Sequence, residues 1–495
     1  MQRTAVDGVT VLWADAPGPL RAALTFGCGV RDETFRSFGV THMVEHLAMG
    51  TLPRLHFEHN AMVGLEETAF LAAGRPEQIA MFLGAVCGAL SDLPLERMER
   101  EAGVLAAEGT SPVPLPMAAV LNQRYGNAGY GLAPLAGPGY DRLDSAAVRA
   151  HCAAHFTRSN AVLQLTGPVP EGLRLPLPDG PPATAAPCRV VRHGPGYDFA
   201  PIEGAALGLA LPYDAPAATL GHALLEHRLT ERARRERGLS YSVQYEIVQR
   251  DSTTLDAVIW LDSRPEQDQV VAELLWDEAL RLAREEPGSA ELKEEIEGFR
   301  EAGARFGAVE EELSRAATAE LNGVLYRPAQ ERLDRLQSVT PAEVTAVFAD
   351  AVRSALLAVA QGTEPRLRTP DGVALPRAGS ADPAGDLPDG RVFRPPLVAR
   401  AIWPGARRAR LVLTADSIGM RDPGGDVQVI PFREVVGMEK RGEARVVFGA
   451  DGAAIAVLPD QFGSGAGTVA KVLDEKAAGP LVFERSALHP ADEDD

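Results

Sequence analysis

The stretch Gly39-Val40-Thr41-His42-Met43-Val44-Glu45-His46 places two histidines and a glutamate in the order His-x-x-Glu-His. On a helix, His42 and His46 lie one turn apart and share a face. Two imidazoles so spaced suit a single zinc ion, and Glu45, next to the second of them, stands where a base can take a proton from water. The order inverts the commoner His-Glu-x-x-His pattern. The competing reading is an amphipathic helix whose histidines only line a core. In a chain with ten histidines, an accidental match has a chance of roughly a few per cent.

A catalytic zinc takes about three side chains and keeps one position open. The next acidic helix offers the missing ligand. Asp92-Leu93-Pro94 reads as a helix start, and residues 95–107 run in helical rhythm until Gly109. Glu101 and Glu108 are two turns apart on it, so one carboxylate can bind metal while the other orients a ligand. A solvated acidic helix is the alternative.

Together these motifs resemble the insulinase or pitrilysin (M16) family of metallopeptidases, in its half-length branch with the mitochondrial processing peptidase. The similarity runs from Asp7 to about Gly362. Val6-Asp7-Gly8-Val9-Thr10-Val11 resembles the family's opening strand, Gly27-Cys28-Gly29-Val30-Arg31-Asp32-Glu33 its glycine-rich approach, and residues 39–51 its zinc helix. By this resemblance the zinc ligands are His42, His46 and Glu108, the base is Glu45, and Glu101 supports a ligand. Asn60-Ala61 resembles the strand on which an extended substrate is added as a further strand. Arg234 and Tyr241, in Arg-Arg-Glu-Arg-Gly-Leu-Ser-Tyr, resemble the pair that family members bring against the substrate opposite the metal. A tyrosine hydroxyl there donates to an oxyanion, and an arginine holds a carbonyl or carboxylate.

The chain departs from the family's pattern in one place. From His46 to Glu108 is 62 residues (108 − 46), shorter than the family's usual spacing, and the deficit falls between Thr51 and Asn60. His56, Glu58 and His59 cluster there, yet alternation on a strand sends His59 to the opposite face from the other two. The four cysteines, Cys28, Cys87, Cys152 and Cys188, form no pair at metal-binding spacing and no disulfide framework. Cys28 reads as a small buried hydrophobe.

Length and composition fit a multi-domain globular enzyme. A net charge of −19 over 495 residues argues against nucleic acid as a partner. The basic run at 232–237 is broken by Glu236 and reads as a solvated helix face with one functional arginine. No leader and no run of eighteen apolar residues is seen, so a cytoplasmic protein without a transmembrane segment is expected.

Proline and glycine crowd residues 168–196 and, more densely, 364–396. The segments before and after the first of these read as weak copies: a helix from Leu143-Asp144-Ser145 leads to the strand at 161–167, and one from Val339-Thr340-Pro341 leads to the strand at 355–362. A duplication of about 180 residues follows. The expected fold is α+β: two homologous halves, 1–180 and 190–365, each an antiparallel sheet with helices packed on it. A linker (366–398), a small pleckstrin-homology-like barrel (399–480) and an acidic tail (481–495) come after. Local strands and a proline-rich boundary predict that the barrel folds independently, so a chain ending near Pro365 should remain soluble and active.

Two functions are open at this level. One is a zinc endopeptidase acting on extended or unfolded peptides, in precursor processing or peptide turnover. The other is a catalytically silent family member that serves as a binding or scaffolding subunit of a heterodimeric peptidase. The presence of His42, Glu45, His46 and Glu108 favours the first. The resemblance also implies a dimer, of like or unlike chains, with Arg234 and Tyr241 of one facing the zinc of the other.

Overall fold

The computed structural model describes residues 1–109, 113–133, 137–181, 188–402, 405–476 and 481–484. The first half opens on a hairpin of β1 (Gln2–Val6) and β2 (Val9–Trp13), turned at Asp7 and Gly8 with φ of 49° and 88°. An Asp-Gly pair supplies that left-handed turn at little cost. With β3 (Leu20–Phe26), β4 (Glu58–Val63), β5 (Thr68–Gly74) and β6 (Ala161–Leu165) the hairpin forms a sheet in the order β1-β2-β6-β3-β5-β4. All five residues of β6 are buried, as in a strand covered on both faces, whereas β4 alternates exposed and half-buried along the sheet's edge. Among the described residues this half has the α-helices α1 (Val40–Met49), α2 (Pro76–Ser91), α3 (Met98–Glu108), α4 (Leu115–Tyr125) and α5 (Ser145–His155). Met43, Leu47, Phe82, Leu83, Leu105 and Val148 pack from α1, α2, α3 and α5 onto Leu24, Phe26, Phe70 and Leu163 of the sheet.

The second half repeats the plan. β7 (Gly196–Ala200), β8 (Ala205–Pro212), β9 (Val243–Gln249), β10 (Thr254–Leu261) and β11 (Leu356–Ala360) lie in the order β7-β11-β8-β10-β9. That order matches β2-β6-β3-β5-β4 strand for strand. Its helices are α6 (Pro216–Leu229), α7 (Asp268–Leu282), α8 (Ser289–Ala302), α9 (Ala308–Leu321), α10 (Ala329–Gln337) and α11 (Pro341–Ala351). The two copies are offset by 176 residues at α1 and α6 (216 − 40), and by 195 at β6 and β11 (356 − 161). The sheets are not wholly antiparallel, as the sequence had suggested: β2 pairs parallel with β6, and β7 with β11. A parallel pair needs a long crossover, and the helices between supply it.

The halves interlock. α4 leaves its own sheet and packs on β8 and β11, while α9 returns to pack on β2 and β6. Arg124 of α4, 1% exposed, donates to the carbonyls of Gly208 (3.2 Å) and Ser354 (3.1 Å) and pairs with Asp256 at 3.1 Å. Asp256 also accepts from Tyr125 and Arg250. A Cβ on Gly208 would stand 2.4 Å from Val120 Cγ1, so only glycine admits α4 here. Removing the Asp256 carboxylate leaves two guanidinium groups in low dielectric, which typically costs about 3–5 kcal/mol. Thermal or denaturant unfolding of Asp256→Ala is expected to show a loss of that size; a change below about 1 kcal/mol would mean the network is solvated.

Beyond the halves, β12 (Arg391–Phe393), β13 (Arg410–Leu413), β14 (Ser417–Arg421) and β15 (Val427–Pro431) form one sheet. β16 (Val435–Arg441), β17 (Ala444–Gly449), β18 (Ala454–Val457) and β19 (Val482–Glu484) form another, in the order β18-β17-β16-β19. Leu411, Ile418, Ile430, Met438, Val447 and Ile455 fill the space between them with Leu473 of the helix Ser464–Lys476. Two separate sheets replace the closed barrel that the strand pattern suggested, because no ladder among the described residues joins them.

Nor is 366–398 a free linker. Leu367 and Leu375 are buried in the core of the second half, the indole of Trp276 donates to Arg368 O at 2.7 Å, and β12 closes the first of these two sheets. The C-terminal unit is likewise packed on the first half. Phe35 packs on Phe448 and Phe483 with ring centroids 4.8 and 5.9 Å away. Asn127, 3% exposed, donates through its main chain to Ala450 O and through its amide to Gly449 O. Residues 482–484 of the supposed acidic tail are strand β19; residues 485–495 lie outside the described residues. No single helix among the described residues is long and apolar enough to cross a membrane.

Candidate metal centre

α1 is seated by a carboxylate the sequence reading did not single out. Glu33 is buried and accepts from the main-chain amides of Gly39 (2.7 Å) and Thr41 (2.9 Å) at the helix start. A negative group there satisfies orphan donors and meets the positive end of the helix dipole. Burial nonetheless pushes its carboxyl up to about 7, against those hydrogen bonds. Gly39 has φ 86°, and a Cβ on it would stand 2.5 Å from Tyr140 Cε1. Both conformation and space therefore demand glycine.

From that start the helical period brings His42, Glu45 and His46 to one face, opposite α3. Glu108 Oε2, at the last residue of α3, lies 3.3 Å from His46 Nε2 and 3.8 Å from His42 Nε2. The two imidazole rings are 4.9 Å apart and nearly perpendicular. Three donors on bonds of about 2.0–2.1 Å to one tetrahedral zinc would sit about 3.3 Å from each other. His42, His46 and Glu108 thus fit a common cation. Glu45 Oε2 is 3.7 Å from the Nε2 of each histidine, facing the same point from the helix side.

Outer contacts fix the ligands. Glu101 Oε2 is 3.6 Å from His46 Nδ1, and Arg97 donates to the other Glu101 oxygen at 3.0 Å. The hydroxyl of Tyr140 is 3.4 Å from His42 Nδ1. Each imidazole so presents Nε2 to the centre and Nδ1 to a neighbour, the arrangement that holds a metal-binding histidine in place. Tyr140 and Arg97 carry no sequence motif; they belong to the site only by folding. Burial, then the charges of Glu108 and Glu101, pushes Glu45 up to about 8. Burial and His46 bring His42 down to about 4, so it is a neutral, ligand-competent imidazole. Three carboxylates crowd two imidazoles, and the guanidinium of Arg97 bonds only the outer one, which is the electrostatic signature of a place for a cation. Glu108→Gln is expected to remove most metal retention, whereas Glu101→Gln weakens metal affinity by about 10–100-fold. Equal metal content in both variants, measured after dialysis, would exclude Glu108 as a ligand.

The other singled-out residues fall elsewhere. Asn60 and Ala61 lie on β4, the edge strand of the first sheet, and β4 packs beside α1. His59 turns inward against Phe57 and Phe82, away from the exposed His56 and Glu58, and these three do not converge. Arg234 lies over the ring of Tyr241 at 5.5 Å, with Tyr241 79% exposed on the second half. Among the described residues no hydrogen bond or ion pair joins either of them to the α1 and α3 groups.

The second half carries a reduced copy of the centre. Glu226-His227 on α6 repeats Glu45-His46, and His227 Nδ1 is 2.7 Å from Glu295 of α8, as His46 Nδ1 faces Glu101 of α3. In register with these, Ala223 stands for His42 and Ala302, the last residue of α8, for Glu108. A metal lacks two of its three ligands there.

No family model matches the chain, and no curated protein sequence does either. Solved structures do. The M16 peptidase inactive domain from Pseudomonas fluorescens is similar at TM-score 0.58 and 16% identity, over 74% of this chain and 98% of that one. A protease from Helicobacter pylori matches at TM-score 0.60 and 14% identity, over 72% and 98%. A predicted insulinase family protease from Yersinia pestis matches at TM-score 0.52 and 13% identity, over 74% and 93%. This chain has the fold of M16 and insulinase-family peptidases.

Proposed function

We propose that this protein is an M16 zinc endopeptidase that hydrolyses extended or unfolded peptides. The observation that carries the reading is the convergence of His42 Nε2, His46 Nε2 and Glu108 Oε2 with Glu45 Oε2 facing their meeting point. Zinc held there supplies Lewis-acid polarisation of a carbonyl oxygen and a more acidic water. The chain's own residues do the rest. Glu45 accepts the proton of the attacking water and returns it to the leaving amine. Glu101 and Tyr140 hold the imidazoles in the productive tautomer. β4 offers main-chain groups at Asn60 and Ala61, beside α1, to a substrate lying as an added strand; that selects unfolded segments over folded ones.

Arg234 and Tyr241 are the remaining catalytic candidates, and their exposure on the second half fits a site completed by another copy or a related chain. Glu45→Gln and Tyr241→Phe proteins would each be weak alone. After free exchange of subunits in an equimolar mixture, half the dimers are mixed and each has one intact site, so about a quarter of wild-type activity should return. No recovery despite demonstrated exchange would place Tyr241 outside a shared site. The primary test is digestion of an unstructured peptide library by the full chain, before and after chelation and zinc replacement. Cleavage lost with the metal and regained with zinc supports the reading; cleavage indifferent to chelation, or none at all from zinc-loaded protein, overturns it.

A further inference from the structure

Against another face of α1, at Thr41, a second group of ligand-type side chains converges. Cys28 follows β3, while His151 and His155 sit one turn apart on α5 and share a face. One donor atom from each lies within 4.8 Å of the others. Cys28 Sγ is 3.4 Å from His151 Nε2, and the two imidazole rings are 4.6 Å apart. A tetrahedral zinc with one sulfur at about 2.3 Å and one nitrogen at about 2.0–2.1 Å separates them by about 3.5 Å. Cys28 is fully buried, and His155 Nδ1 is a buried nitrogen with no hydrogen-bond partner. An orphaned buried imidazole nitrogen is costly unless something fills its lone pair or takes its proton.

We propose that Cys28, His151 and His155 form a second metal site for Zn²⁺, distinct from the one on α1 and α3. One thiolate and two imidazoles are the donor set of a borderline-soft cation, not of calcium or magnesium. Burial lowers both histidines, His151 to about 3, so each is a neutral ligand at neutral pH. The buried Cys28 thiol is held protonated, and binding would release that proton to solvent as the sulfur–metal bond forms. The buried Asp32 carboxylate acts on His155 from beside the group and is itself paired with Arg31 at 3.7 Å. The site is structural in kind. The Thr41 hydroxyl, on the residue before His42, is 3.0 Å from the same His151 Nε2, and it would give that nitrogen up to the metal. A cation there would pin α5 to the segment after β3, next to α1.

Metal titration of the full chain, stripped by chelation and reloaded with Co²⁺, tests this without any substitution. The α1 centre has no sulfur ligand, so absorption from sulfur-to-cobalt charge transfer reports the second site alone. Two equivalents bound, with that absorption, is the expected result. One equivalent and no sulfur band overturns the proposal. Cys28→Ser should lower the stoichiometry from two to one and abolish the band, whereas His46→Ala should also give one equivalent yet retain the band. A band that survives Cys28→Ser places the sulfur elsewhere and overturns it too. Failure of peptide hydrolysis leaves this readout untouched, so the two readings fall separately.

Discussion

Glu45→Gln is expected to keep the metal content of the wild-type protein and to lower peptide hydrolysis by about 10²–10⁴-fold, the usual contribution of a positioned general base. The substitution preserves shape and the facing position 3.7 Å from both Nε2 atoms, while removing the ability to take a proton. Glu45 is 6% exposed and approached by two further carboxylates, so a neutral amide relieves repulsion and should not unfold α1. Glu45 is not one of the three ligands, so metal content is expected to stay at the wild-type level. Single-turnover cleavage of one defined peptide, with zinc measured on the same sample, separates the two effects. Activity within about twofold of wild type would remove Glu45 from the mechanism.

The second large effect is on folding. A chain ending at 365 should lose stability outright, contrary to what the proline-rich composition of 364–396 suggests. Truncation removes Leu367 and Leu375 from the second core, takes the acceptor from the buried indole of Trp276, uncovers Phe35 and leaves Asn127 without Gly449 and Ala450. Each buried apolar side chain lost is worth about 1.5–3 kcal/mol, and each orphaned buried polar group about 1–3 kcal/mol. Their sum is comparable with the whole stability of a domain, about 5–15 kcal/mol. The truncated chain is expected to be aggregated or to melt more than about 10 °C below the full chain. A soluble truncated protein with an unchanged melting temperature would show that these contacts contribute little.

The contrast between these two results shows where the sequence was readable. His42, Glu45 and His46 could be placed together from the sequence because the helical period dictates which side chains share a face, whereas Glu101 and Glu108 were equal candidates on the acidic helix until the family resemblance chose Glu108. The duplication was legible in two capped helix-then-strand segments, and the matching order of β2-β6-β3-β5-β4 and β7-β11-β8-β10-β9 bears it out. Contacts between distant segments leave no such period. Tyr140 reaches His42 across 98 residues, and Cys28 meets His151 across 123, with nothing local in either stretch to announce it. The crossing of α4 onto the second sheet is equally silent, since an apolar helix face does not say which sheet covers it. Composition misled at 366–398, where proline and glycine mark irregular backbone without saying whether it is packed.

The metal centre is tested most directly by an anomalous difference map at the zinc absorption edge from crystals of zinc-loaded protein. A peak is expected about 2.0–2.2 Å from His42 Nε2, His46 Nε2 and a Glu108 oxygen, with Glu45 outside bonding distance but facing it. A map with no peak between α1 and α3, or a peak there that Glu108 does not touch, would contradict it.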